Sequence, residues 1–469
     1  MPTLDYALDE ATLTMQIREG ATRAARVDRP ILVSHTAPLE TTDPLTLLLV
    51  AQALNQPAFF WQQPEREHAL AGFGAAYRIE TRGAERFTAA ARQWQRLLED
   101  ALIDAPAVRG AGPLLLGGFS FDPARPRSLL WEDFADGSLV LPRVQLSSSA
   151  GRTLLTVNLL VDGATDAYAA ADESLRWATM LDDLPLSSAD DGLSHARVEE
   201  VLPAAVWQEL ARAAIGAIAE GALDKVVLAR AVRLSAARPF SLDRAIRRLR
   251  ESYSNACTFA ITRGARCFLG ATPERLVAVE DGIARTAALA GTIRRGATAH
   301  EDQLLQQRLL DSVKDRHEHA LVVETLRTAF AASCDDVRAL EQPEVLRLSN
   351  VQHLHTPISG RLRPGHSLLD LLARLHPTPA VGGLPRAAAL RYLRDHEQLD
   401  RGWYAAPVGW LDAHGAGEFV VALRSGVIDG AQATLFAGCG IVAGSDPVAE
   451  YEETRLKLRP MLEALGLEG

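Results

Sequence analysis

Two kinds of apolar pattern alternate along the chain, and they predict two kinds of element. Short runs that are apolar at almost every position, at 114–121, 154–161 and 224–232, have the length of strands covered on both faces. Longer stretches, at 84–102, 300–330, 367–375 and 386–397, repeat their apolar residues every three or four positions, the spacing of one helix face. Within 300–330 the residues Leu305, Leu309, Val313, Leu321 and Leu326 keep that spacing, which predicts one long helix. Turn pairs divide the other apolar sequence into further strands: Arg263-Gly264 and Asp281-Gly282 within 257–292, His414-Gly415 and Asp429-Gly430 within 407–442. The closing helix, 447–465, has Asp446 as its cap and Pro447 as its first residue. A loop rich in Ser, Asp and Pro at 182–194 reads either as a seam or as a surface excursion. The chain therefore divides into an N-terminal portion, 1–195, expected to belong to the same fold, and a core, 196–465.

Composition removes several functions. With 48% hydrophobic and 23% charged residues the chain of 469 residues is too apolar to be disordered. Its net charge is −10 and its densest basic cluster is only Arg247-Arg248-Leu249-Arg250, which argues against a nucleic-acid partner. Cys257, Cys267, Cys334 and Cys439 form no C-x-x-C pair, so neither a zinc ribbon nor a disulfide framework is indicated, and reduced thiols suit the cytosol. The start, Met-Pro-Thr-Leu-Asp-Tyr, is not that of a signal peptide, and no run approaches the roughly 18 apolar residues of a membrane span. A cytoplasmic location without a membrane partner is the expectation.

Four places carry residues suited to chemistry. On the closing helix Glu450, Glu453 and Lys457 share one face at i, i+3 and i+7. Alone, that spacing suits a solvated face with an internal ion pair, but the strand-like Ala437-Gly438-Cys439-Gly440-Ile441-Val442 leads into it with glycines that let a ligand approach backbone amides. Glu318 lies in Lys314-Asp315-Arg316-His317-Glu318-His319, where His317 and His319 point about 200° apart on a helix, so zinc is not indicated. Carboxylates from two helices, such as Glu318 and Glu453, are the ordinary way of holding magnesium, although spacing does not bring them together. Lys225 opens an apolar strand, either as a surface lysine or, if enclosed, as a general base. Glu274, in Gly270-Ala271-Thr272-Pro273-Glu274-Arg275, is either a turn carboxylate paired with Arg275 or a buried acid that keeps its proton.

These strings, together with Ala290-Gly291-Thr292, His376-Pro377-Thr378-Pro379-Ala380-Val381-Gly382-Gly383, Arg401-Gly402-Trp403-Tyr404 and Glu450-Tyr451-Glu452-Glu453-Thr454, resemble the chorismate-utilising enzymes. The likeness runs in order over roughly 200–460 and is loose before that. It implies an α+β fold of two large, mostly antiparallel sheets packed together with helices outside and the site in a cleft near one edge. It further implies that Lys225 activates a water for attack at ring C2 of chorismate while Glu274 protonates the departing C4 hydroxyl. Magnesium would be held by Glu318 and Glu453, with Glu450 assisting through water. The substrate carboxylates would meet Arg424, Lys457 and backbone amides near Gly291, Gly438 and Gly440, with Thr292 beside them and His353 on the substrate side.

Within the family, Ala380 stands where ammonia-using and pyruvate-eliminating members commonly carry a hydroxyl residue, and the form around it resembles isochorismate synthases. A lysine at 225 suits water as the nucleophile, so no glutaminase subunit is expected. The long N-terminal section and the Arg401–Trp410 segment are more similar to menaquinone-directed members than to siderophore-directed ones, which tend to be shorter. A salicylate synthase, the large subunit of an aminating synthase and a catalytically silent chorismate-binding protein stay open as other readings.

Overall fold

Twenty-three strands collect into sheets of thirteen and ten strands in the computed structural model, which describes residues 8–40, 42–179, 196–347 and 351–467. Pairing is antiparallel except between Ile31–Leu39 and Leu102–Asp104, which run parallel. The α+β expectation with two packed sheets holds. One apolar layer lies between the sheets and includes Trp61, Leu70, Leu116, Phe268, Trp410 and Phe419. A second lies on the outer face of the larger sheet, where Phe60, Ala71 and Leu269 meet Leu13, Ile17, Leu249 and Met461 from helices. Successive strand residues thus face different layers, and both layers are dry, so these strands read as continuous apolar runs with no polar alternation.

The N-terminal portion supplies strands to both sheets. Ala58–Gln63 pairs with Cys257–Arg263 in the larger one, and Leu114–Phe119 pairs with Pro407–Asp412 in the smaller one. The 182–194 loop lies outside the described residues.

One predicted element is two. The long helix expected over 300–330 is divided into Ala299–Asp311 and Val313–Ala331. Ser312 between them is extended (φ −66°, ψ 109°), and its hydroxyl accepts from the amide of Asp315, which caps the second helix. Helical spacing continues through the break because Val313 happens to fall on the apolar repeat, yet its side chain is 83% exposed and supports no core. The closing helix runs Pro447–Ala464 with Asp446 accepting from Val448 and Ala449, as its sequence predicts. Among the described residues no helix is long and apolar enough to cross a membrane.

Candidate active site

Lys225 is the first residue of the strand Lys225–Ala236, which pairs antiparallel with Gln432–Ile441 and so lies beside the approach to the closing helix. A side chain at Gly440 would bring its Cβ 2.9 Å from Lys225 Cε, so the glycine makes room for the lysine. The amine is largely enclosed, with 18% of the side chain exposed, and its Nζ donates to Glu318 Oε1 at 3.0 Å. Glu318 stands in the first half of the Val313–Ala331 helix, 93 residues away in sequence.

Glu274 follows Pro273 in the short link between strands Arg266–Thr272 and Arg275–Glu280. One side of it still meets solvent, but it is set deep among protein atoms. Burial pushes its carboxyl up to about 7, against the opposing charges of Lys457 and Lys225, so near neutral pH it keeps a proton to give. Both lysines therefore act on the same carboxyl. Tyr404 lies on this side as well: its hydroxyl is 3.3 Å from the place a Cβ would occupy on Gly438, and burial raises its pKa.

Lys457 completes the cationic side. Its Nζ pairs with Glu453 Oε1 at 2.6 Å and donates to the Gly438 carbonyl at 3.0 Å, tying the closing helix to the glycine-bearing strand. Glu450 accepts from Ser445 Oγ at 2.8 Å. Arg424 is half-buried, with desolvation lowering its pKa, and holds a positive φ of 46°, which a side chain adopts at a cost in strain. In the smaller sheet Gly291, at φ 76°, is the extra residue of a bulge between Ile283–Arg294 and Val351–Leu362. Directly after it Thr292 Oγ1 contacts His353 Nδ1 at 2.9 Å, and burial lowers the His353 pKa.

Chemistry and distance agree less well for a metal ion. Glu318, Glu450 and Glu453 offer only carboxylate oxygens, the donor set of a hard cation. Each is engaged by Lys225, Ser445 or Lys457 respectively. Among the described residues no three His, Cys, Asp or Glu side chains gather closely enough to hold an ion. The donor chemistry fits magnesium, and two ammonium groups supply the positive charge these carboxylates call for.

Comparison with known proteins decides the family. The sequence matches the family described as chorismate binding enzyme over residues 18–466. The chain belongs to the chorismate-binding enzymes. It is 42% identical to the salicylate biosynthesis isochorismate synthase of Pseudomonas aeruginosa, over 95% of this chain and 93% of that protein. It is 37% identical to the isochorismate synthase MenF of Bacillus subtilis, over 98% of each. Its fold superposes on the menaquinone-specific isochorismate synthase MenF of Escherichia coli with a TM-score of 0.77, at 30% identity, covering 96% of this chain and 99% of that one.

In this chorismate-binding enzyme the expected site residues fall into two groups. Lys225, Glu274, Glu318, Gly438, Gly440, Glu453 and Lys457 are linked by the contacts above, and Thr292 and His353 form a second pair beside Gly291. Ala380 is exposed in the turn after the Leu368–Leu375 helix, whose loop returns at Gly383–Leu384 to pair with Lys225 and Val226. His319 and His376 are core residues, hydrogen-bonded to Thr356 and to the Phe121 carbonyl. Reading the sequence missed Tyr404. Its signal was the Arg401-Gly402-Trp403-Tyr404 string itself, but nothing in a one-dimensional string says that this tyrosine turns toward Gly438.

Proposed function

We propose that the chain is an isochorismate synthase, converting chorismate to isochorismate. The observation that carries this reading is the pairing of opposite roles at one place: an enclosed lysine, and a carboxyl held near pKa 7 by burial despite two lysines acting on it. Water must lose a proton as its oxygen bonds to ring C2, and the C4 hydroxyl must gain one as its bond to carbon breaks. Lys225 is the base for the first transfer and Glu274 the acid for the second, so the water added and the water lost leave the overall composition unchanged. Both lysines, with Arg424, also face a substrate that carries two carboxylates.

Magnesium, held by Glu318 and Glu453 with Glu450 assisting, would neutralise the substrate's ring carboxylate. Lys225 accepts a proton only through its amine lone pair, so its work as a base calls for release of its contact with Glu318. For pathway we keep the menaquinone direction, supported by the end-to-end likeness to two proteins named MenF. The Pseudomonas relative favours a second outlet for the same product, toward salicylate, which changes the consumer of isochorismate and not the reaction.

Chromatography of the purified protein incubated with chorismate and magnesium tests the reading. Isochorismate should appear, should vanish with EDTA, and should come without pyruvate or salicylate. Pyruvate with salicylate would make the chain a lyase. An aminated product with ammonium would make it an aminating synthase, and binding without turnover would make it a silent binder.

A further inference from the structure

Among the described residues the strand that carries Lys225 has no neighbouring strand along part of one edge. Gly383–Leu384 pairs with Lys225 and Val226, and Ala196–Glu200 pairs with residues 232–236. Among the described residues no strand lies against the edge between these two partners, and its backbone groups go elsewhere. The Val227 amide donates to the Gly382 carbonyl at 3.1 Å. The Val227 carbonyl accepts from Arg401 Nη2 at 2.5 Å, and the Ala229 amide donates to Glu397 Oε2 at 2.8 Å. Glu397 and Arg401 in turn bind each other twice, at 2.7 Å from Nε and 2.7 Å from Nη2, and Arg401 Nη1 donates to the Val381 carbonyl at 2.9 Å. Both residues are almost wholly buried, at 4% and 3% exposure, and the Phe121 ring covers the guanidinium at 4.3 Å.

A buried ion pair is weak support for stability in general, because apolar residues of the same volume often do as well. This pair differs in what it is bonded to. It occupies three backbone groups, two on the strand of Lys225 and one on the loop of Ala380, and an apolar pair would leave all three unsatisfied. The ion pair between Glu397, the extended residue that closes the Arg386–His396 helix, and Arg401, four residues further along the chain, does the work of a missing strand.

We propose that Glu397 and Arg401 are positioning residues for the reaction: they hold the start of the Lys225 strand in register with the loop that presents Ala380. The inference rests on reading Lys225 as the base, and it makes a separate claim about the backbone. Lysine at 401 keeps the charge but has one ammonium where the guanidinium serves Val227, Val381 and Glu397 together. Misplacing a catalytic group by about 1 Å costs on the order of 10²-fold, so Arg401→Lys should lower kcat at least about tenfold while KM for chorismate changes by no more than about twofold. Glu397→Gln, which keeps an acceptor for the Ala229 amide but loses the charge, should retain more kcat than Arg401→Lys.

The test combines steady-state kinetics of the two variants with residue-resolved amide exchange on the wild-type chain. If the pair replaces a strand, the Ala229 amide of the wild type is protected as strongly as the amides that pair with Gln432–Ile441, and Arg401→Lys loosens the 225–229 segment along with kcat. A rapidly exchanging Ala229 amide in the wild type overturns the proposal even if neither variant folds. So does a folded Arg401→Lys protein with a lowered melting temperature and unchanged kcat, which marks the pair as structural only. Absence of any turnover by the wild type would refute the reading of function instead, and the exchange measurement would still decide the backbone claim.

Discussion

Glu274 directly precedes the Arg275–Glu280 strand, Glu418 lies on the Gly417–Val421 strand paired with it, and the surroundings of the two glutamates could hardly differ more. Glu418, fully buried, accepts from Gln63 Nε2 at 2.5 Å and Arg109 Nη2 at 3.2 Å and is ion-paired with Arg275 Nε at 3.0 Å and Arg66 at 3.7 Å. No hydrogen bond reaches the carboxyl of Glu274 among the described residues, and its pKa rises to about 7. The residue that follows it, Arg275, serves Glu418 instead. Burial is common to both, and the supply of donors separates them. A carboxyl ringed by arginines and an amide serves as structure, whereas a buried one without donors keeps an exchangeable proton and becomes an acid.

Exchanging the two environments' glutamates is the sharpest way to test this contrast. Glu274→Gln should remove isochorismate formation by on the order of 10³-fold, with the fold and the melting temperature retained, because only the proton donor is lost. Lys225→Ala should fall in the same range of about 10²–10⁴-fold. The opposite pattern belongs to Glu418→Gln, which leaves arginines without their carboxylate: a loss of about 3–5 kcal/mol in denaturant unfolding, with kcat of the folded fraction close to wild type. A stable but inactive Glu418→Gln beside an active Glu274→Gln would reverse the assignment.

The pH dependence follows from the same contrast. A required acid with a pKa of about 7 makes kcat/KM fall roughly tenfold per pH unit above that value, as a rate profile on chorismate will read. Stability moves with it. Between the ordinary 4.5 and about 7 the folded state holds the Glu274 proton that the unfolded state has released, so unfolding free energy falls as pH rises through that window. Melting curves of wild type and Glu274→Gln should diverge there and run parallel outside it. Smallest of all is Cys439→Ala: the thiol is buried, burial raises its pKa, and among the described residues its one hydrogen bond is a long 3.4 Å donation to the Glu450 carbonyl. That change should leave kcat within about twofold and stability within about 1 kcal/mol.

Much of this molecule was legible before any coordinates. Continuous apolar runs such as Leu114–Phe119 and Lys225–Ala236 marked strands with two dry faces, and Asp446-Pro447 marked the start of the closing helix, because cap chemistry and strand length are local properties. The break at Ser312 was not legible, since a serine is as compatible with a helix interior as with a cap until tertiary packing decides whether the turn before it belongs to the core. Residue types with a possible chemical role, Lys225, Glu274, Glu318 and Glu453, could be named from motif strings. Their partners could not: Lys225 meets Glu318 across 93 residues, and Arg275, the partner in one of the two readings of Glu274, turns to Glu418. Sequence by itself determined the elements and the inventory of reactive groups, which depend on a few adjacent residues. Tertiary structure alone decided which carboxylate has donors and which does not, because hydrogen-bond supply at a buried site comes from strands and helices that are remote in the chain.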